Sequence, residues 1–251
     1  MALSGIHAYI IVLLKNKIPY KKWFYPSILL GSVIPDIDFF FSQVHQIISI
    51  SVFLNIFNKT FGHSIITVTI AYITLMIIYE VKKRKKYLYI ANGITLGMII
   101  HIFWDLVVWN NKIDLFWPLP IEPISTYEQF ILSKNIIILL FTIEFIFLRL
   151  YTWKTINLIL ENPLENKHYI NPLTIWMKTQ FYFTIIFFIS SFFIDIYYIY
   201  IFFFTGYIPS LAVMVYIILI TWDYLDYYKE DETQDKESND YKERINLINI
   251  H

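Results

Sequence analysis

The sequence predicts an all-α, polytopic integral membrane protein of about five to six membrane helices, with a short N-terminal broken or interfacial helix before them. Three observations predict it. The 251 residues are 57% hydrophobic and 20% aromatic with only 16% charged, and the mean hydropathy is +0.53, too oily for an ordinary soluble domain. The apolar residues gather in runs of span length separated by short basic or polar connections. Six glycines and nine prolines leave little room for long flexible linkers. The formal charge of zero carries no sign of nucleic-acid binding. Absence of cysteine excludes disulfides and thiolate ligation, so any metal must be held by nitrogen and oxygen.

Taken in order, Leu3–Leu14 is apolar but too short to span alone, and it lacks the basic start and small-residue cleavage site of a secretory signal. It reads as a retained shallow helix. After a basic patch at Lys15, Lys17, Lys21 and Lys22, the apolar stretch Trp23–Phe41 is interrupted by Pro26, Pro35, Asp36 and Asp38, which makes it a broken or shallow helix. Ser64–Val81 and Tyr87–Trp109 are clean spans joined by Lys82–Lys86, a tight basic loop. Asn135–Trp153, Gln180–Phe204 and Tyr207–Trp222 supply three more spans, and Asp223–Arg244 is a charged tail. No repeat is visible, and the richness in isoleucine, asparagine and lysine reads as base bias. The chain thus divides into a membrane core at 1–119, additional membrane helices at 120–222 and a charged cytoplasmic tail at 223–251.

The positive-inside bias places Lys82–Lys86 in the cytoplasm, and Arg149, Lys154, Lys167 and Lys178 on the same side if each later stretch crosses once. His63 then opens the helix that descends to the basic loop, and His101 and Asp105 lie in the far half of the helix that rises from it. Asp36 and Asp38 reach that half if Trp23–Phe41 rises from the basic patch, with His7 one shallow helix away. Six ionisable residues are therefore expected to converge on the non-cytoplasmic half, where each is costly and needs a reason.

Metal binding is the chemistry that suits them. His101 and Asp105, four apart, share one helix face, and His63 on the hairpin partner adds a second imidazole. Asp36 and Asp38 can send carboxylates to different ions, or to one ion and to a partner of its ligand. Mixed His and Asp ligation suits zinc, manganese or iron better than calcium. Two ions roughly 3.5–4 Å apart would activate water and clamp a phosphoester.

Plainer readings stand beside this one. Asp36 can be a helix N-cap, His63 an interfacial cap before Ser64, and His101 with Asp105 a structural ion pair. His45, His168 and His251 read as solvated surface. Glu144 and Asp195 lie inside predicted spans without a motif, where each could pair with another helix or line a polar crevice.

Gly31-Ser-Val-Ile-Pro-Asp-Ile-Asp38, the His63-Ser64 that opens a membrane helix, His101-x-x-x-Asp105 and Phe116-Trp-Pro-Leu119, in this order within Met1–Leu119, resemble the membrane-bound metal-dependent hydrolase family, the YdjM-like inner-membrane proteins. The resemblance implies a metal-dependent hydrolase, distantly similar to zinc-dependent phospholipase C, in a bacterial inner membrane. It puts His7, Asp36, Asp38, His63, His101 and Asp105 at the matching metal-binding positions. Many relatives carry a His-Arg pair upstream of the His-Ser element, where this chain has Asn58-Lys59. Lys59 can neutralise a phosphate as a point charge but lacks the arginine fork.

The expected function is hydrolysis of a phosphoester, of a lipid or lipid-linked substrate, by metal-activated water. Zinc is the expected ion and manganese the alternative. Asp36 and Asp38 are the candidate catalytic carboxylates, Asp36 orienting or deprotonating the water. Asn58, Lys59, Ser64 and Trp117 are the candidate substrate contacts. The bilayer is the expected partner and nucleic acid is not; the oligomeric state is unread. The competing expectation is a non-enzymatic membrane protein, either a metal or solute transporter or a scaffold whose His and Asp side chains pair with one another.

Overall fold

A computed structural model of the chain describes residues 4–18, 21–36, 61–108, 113–124, 134–160, 170–190, 192–193, 206, 208–220 and 222. The described residues are helical, apart from turns and an antiparallel bridge between Ile113 and Ile124. Helix α1 (Ser4–Leu13) ends in a 3-10 turn at Lys15–Lys17, and α2 (Phe24–Gly31) leads into a second 3-10 turn at Ile34–Asp36. Pro26 sits in the first turn of α2, where a missing amide removes no helical hydrogen bond. Trp23–Phe41 is therefore broken as far as Asp36, and the remainder, Asp38 included, lies outside the described residues.

Helices α3 (Ile65–Lys82) and α4 (Lys85–Val108) form the hairpin. The loop expected over Lys82–Lys86 contracts to Lys83 and Arg84. Lysine is a good helix former, so the flanking lysines join the helices. Lys83 supplies the turn by adopting a left-handed φ of 52°, and its amide bonds the Tyr79 carbonyl at 2.7 Å. Both helices are long and apolar enough to cross a bilayer, and only 11% of the α3 span is buried against protein. Ile70, Ile73, Ile77 and Val81 all project outward from α3. Such a continuous apolar face needs lipid around it.

The later spans differ in register from their expected bounds. Helix α5 (Lys134–Leu160) runs past Trp153, and Ile156 near its end is buried against Met177 and Ile217. Helix α6 (Ile170–Ser190) begins well before Gln180 because Pro172 is tolerated in a first turn and Trp176 and Met177 have a core to enter. Residues beyond Phe193 in the expected span Gln180–Phe204 fall outside the described residues, as does the tail at 223–251. Helix α7 (Ile208–Ile220) lies within the expected Tyr207–Trp222.

Two apolar layers meet at α2. On one side Ala8, Ile11 and Val12 of α1 and Ile28 and Leu29 of α2 pack with Phe145 and Leu148 of α5, Phe187 of α6 and Ile218 of α7. On the other side α2 lies directly on α4. Glycines permit that approach: a Cβ on Gly97 would collide with the Ile28 carbonyl and lie 2.8 Å from the Ser32 amide, and one on Gly93 would lie 2.7 Å from the Phe24 carbonyl. Gly31 in turn faces the Ile94 backbone. Gly93 and Gly97 are four apart, the spacing that lets membrane helices touch backbone to backbone. This contact brings the Asp36 turn against the far half of α4.

Candidate metal centre

Four of the expected residues meet there. Asp36 comes from the 3-10 turn after α2, His63 from the turn before α3, and His101 and Asp105 from successive turns of α4. One nitrogen or carboxylate oxygen from each lies within 4.8 Å of all the others, and all four residues are buried. His63 Nε2 is 2.9 Å from Asp105 Oδ2 and 3.9 Å from Asp36 Oδ1. His101 Nε2 is 3.5 Å from Asp36 Oδ1 and 3.5 Å from Asp105 Oδ2. A tetrahedron with metal–ligand bonds of about 2.0–2.1 Å has edges of about 3.3–3.4 Å, close to the mean of these separations. Two carboxylates and two neutral imidazoles also balance a divalent charge, which matters in a site with no water to screen it. The donor set therefore fits a divalent first-row metal, with an N2O2 composition.

The His101 imidazole is oriented by the backbone of the turn after α2. His101 Nδ1 is 2.6 Å from the Ser32 carbonyl, which can only accept, so Nδ1 carries a proton and Nε2 is the nitrogen that faces the cluster. Ser32 is itself fixed by its hydroxyl, which donates to the Leu29 carbonyl at 2.8 Å. Burial would raise the Asp36 carboxyl, yet the adjacent His101 outweighs it and holds Asp36 below its ordinary value.

His7 joins the group from α1 at one remove. Its Nδ1 lies 3.0 Å from His101 Nδ1, and its Nε2 lies 3.9 Å from Asp105 Oδ1. Burial first, and then His101, push its imidazole down to about 3, so it is neutral. His7 thus lies beside Asp105 and outside the four converging donors. Asp38, Asn58 and Lys59 lie outside the described residues.

The hydroxyl of Ser64 is committed to structure. It accepts from the Ile66 amide at 3.1 Å as the N-cap of α3 and donates to the Trp117 carbonyl at 2.6 Å. The Ile65 amide bonds the Leu115 carbonyl at 2.9 Å, so the loop after α4 is clamped beside His63. Trp117 packs edge-on against Phe61 with ring centroids 5.7 Å apart. Ser64→Ala is expected to lower stability by about 1 kcal/mol through the lost cap. An unchanged thermal midpoint would show that the clamp does not depend on this hydroxyl.

Glu144 is a contributor that the sequence left without a role. Its Oε1 accepts from the Gly5 amide at 2.6 Å, tying α5 to the first turn of α1, two residues before His7. Gly5 is required for that closeness, since a Cβ there would lie 2.7 Å from the Leu148 amide nitrogen. A lone carboxylate inside an apolar helix was the available signal. Glu144→Gln retains an acceptor and Glu144→Ala does not. Their thermal midpoints should therefore differ, with alanine the less stable by about 1–2 kcal/mol. Equal midpoints would mean that the Gly5 amide is satisfied in another way.

The comparisons with known proteins agree with a membrane setting. The model of the YdjM inner membrane protein family matches residues 2–228. The chain belongs to that family. No curated protein and no solved structure matches it. Membership in the YdjM family, with the two apolar hairpin helices, places this chain in a membrane.

Proposed function

We propose that this YdjM-family protein is a multi-pass inner-membrane hydrolase that uses a divalent metal, zinc or alternatively manganese, to cleave a phosphoester of a lipid or lipid-linked substrate with water. The convergence of Asp36, His63, His101 and Asp105 beside a membrane hairpin carries the reading. A bound ion would supply Lewis acidity, lowering the pKa of water and polarising a phosphoryl oxygen. Asp36 and Asp105 offset the ion's charge, His63 and His101 complete the set, and His7 and the Ser32 carbonyl hold the geometry. Asp36 also orients water or takes its proton. Asp38 extends the carboxylate set, as the family resemblance implies, and Asn58, Lys59 and Trp117 contact the substrate. In this reading the core is 1–119, further membrane helices occupy 120–222 to give about five to six in all, and the tail at 223–251 is cytoplasmic.

The test is release of phosphorylated headgroup from a panel of bilayer phospholipids by purified protein, with and without chelator. Chelator-sensitive release that disappears in Asp36→Asn is expected. Identical background throughout would overturn hydrolysis.

Burial favours a second reading, a structural metal site in a non-catalytic membrane protein. Asp36, His63 and His101 are 0% exposed and Asp105 is 1% exposed, and four protein ligands without an open position are typical of structural zinc. Chelation would then lower the thermal midpoint while no ester is turned over.

A further inference from the structure

The C-terminal helices hold a second buried polar group, remote in sequence from the metal centre. Arg149 on α5 is 4% exposed, yet among the described residues its hydrogen bonds go only to neutral oxygens. Its Nη2 reaches Gln180 Oε1 of α6 at 2.7 Å and Ser210 Oγ of α7 at 3.3 Å, and its Nη1 reaches the Phe145 carbonyl at 3.1 Å. Nε has no hydrogen-bond partner. The nearby carboxylate on the same helix, Glu144, gives Oε1 to the Gly5 amide instead. Ser210 also donates to the Gly206 carbonyl.

Glu144 acts on the guanidinium only at longer range and the Phe145 ring lies 4.8 Å from it, so among the described residues no carboxylate hydrogen-bonds this buried cation. An oxyanion supplies what is lacking. The planar fork of arginine matches phosphate, and the Ser210 hydroxyl and the Gln180 amide are the neutral groups that can turn toward the same anion. Lys154 lies farther along α5 and Lys178 two residues before Gln180 on α6, and the positive-inside bias assigns the connection between α5 and α6 to the cytoplasmic side. There the surrounding leaflet offers anionic phosphate headgroups, which basic sites between membrane helices bind.

We propose that Arg149, Gln180 and Ser210 form a site for the phosphate of an anionic lipid headgroup, distinct from the metal centre and independent of whether that centre is catalytic. The test uses the full-length protein, delipidated in detergent. It is titrated with mixed micelles of phosphatidic acid, with phosphatidylcholine micelles as the zwitterionic control and inorganic phosphate as a separate arm. Binding is read by native mass spectrometry. Phosphatidic acid should bind in preference to phosphatidylcholine, and Arg149→Gln should raise its half-saturating concentration about tenfold or more. Arg149→Lys should recover part of the loss, since it keeps the charge without the fork. Metal content should be the same in all three proteins.

No preference for phosphatidic acid in the wild type, or equal binding by Arg149→Gln, overturns the site and leaves Arg149 a clamp between three helices. Saturation by inorganic phosphate without a response to phosphatidic acid overturns the lipid source. If Arg149→Gln does not fold, Ser210→Ala and Gln180→Leu, which keep the guanidinium, must each weaken phosphatidic acid binding. Unchanged binding in both overturns the proposal.

Discussion

Replacing His101 with alanine is expected to lower affinity for a divalent ion at least about a hundredfold, since loss of an outer partner alone costs about 10–100-fold. His101 has the largest expected effect because it faces both carboxylates, at 3.5 Å from Asp36 Oδ1 and 3.5 Å from Asp105 Oδ2. Without it, two buried acidic groups confront each other with one imidazole between them, so the metal-free variant is also expected to be less stable. Asp105→Asn isolates the ligand effect, because it keeps the size of the side chain and removes one of the two negative charges that balance the ion. Metal content by mass spectrometry, with helicity by circular dichroism, checks both. Wild type purified without chelator that neither carries nor takes up zinc or manganese would remove the metal reading. Where metal is bound at about a hundred times its dissociation constant, chelation should cost about 2.7 kcal/mol of stability.

Gly97→Val is expected to destabilise the fold by about 3 kcal/mol or more and to abolish metal uptake in whatever fraction still folds. The added carbons have no flexible neighbour to push aside. A Cβ at this position already collides with the Ile28 carbonyl and lies 2.8 Å from the Ser32 amide. Separating α2 from α4 would carry the Ser32 carbonyl away from His101 and the Asp36 turn away from both histidines. Ile99→Ala, two residues along on a side chain 52% exposed, is the control and should leave both stability and metal uptake nearly unchanged. Equal thermal midpoints for the two variants would mean that α2 and α4 can separate without consequence.

Much of the centre was legible because ionisable residues are conspicuous among apolar ones. His101 and Asp105 at helical spacing, His63 at a helix start and Asp36 after a proline could each be picked out, since a membrane span tolerates few such groups. Helix ends were less legible. Apolar run length placed the start of one span at Gln180, whereas packing of Trp176 and Met177 carries the helix back to Ile170. The basic loop likewise shrank to Lys83 and Arg84, because exposed lysines extend a helix as readily as they end one.

By itself the sequence determined that the chain belongs in a membrane, that its described elements would be helical, and, among the six residues it named, that Asp36, His63, His101 and Asp105 could share a metal. Composition and spacing are local properties, and each of these follows from them. Only the tertiary structure decided that His7 lies beside Asp105 and His101, that the Ser32 carbonyl meets His101 Nδ1, and that Glu144 anchors α1. It also gave Arg149 partners on two other helices. These roles depend on which backbones approach most closely, and that is governed by the glycines at 31, 93 and 97 and the Gly5 contact with α5. A glycine pattern shows where helices can touch, but the partner and the register come only from packing the whole set of helices together.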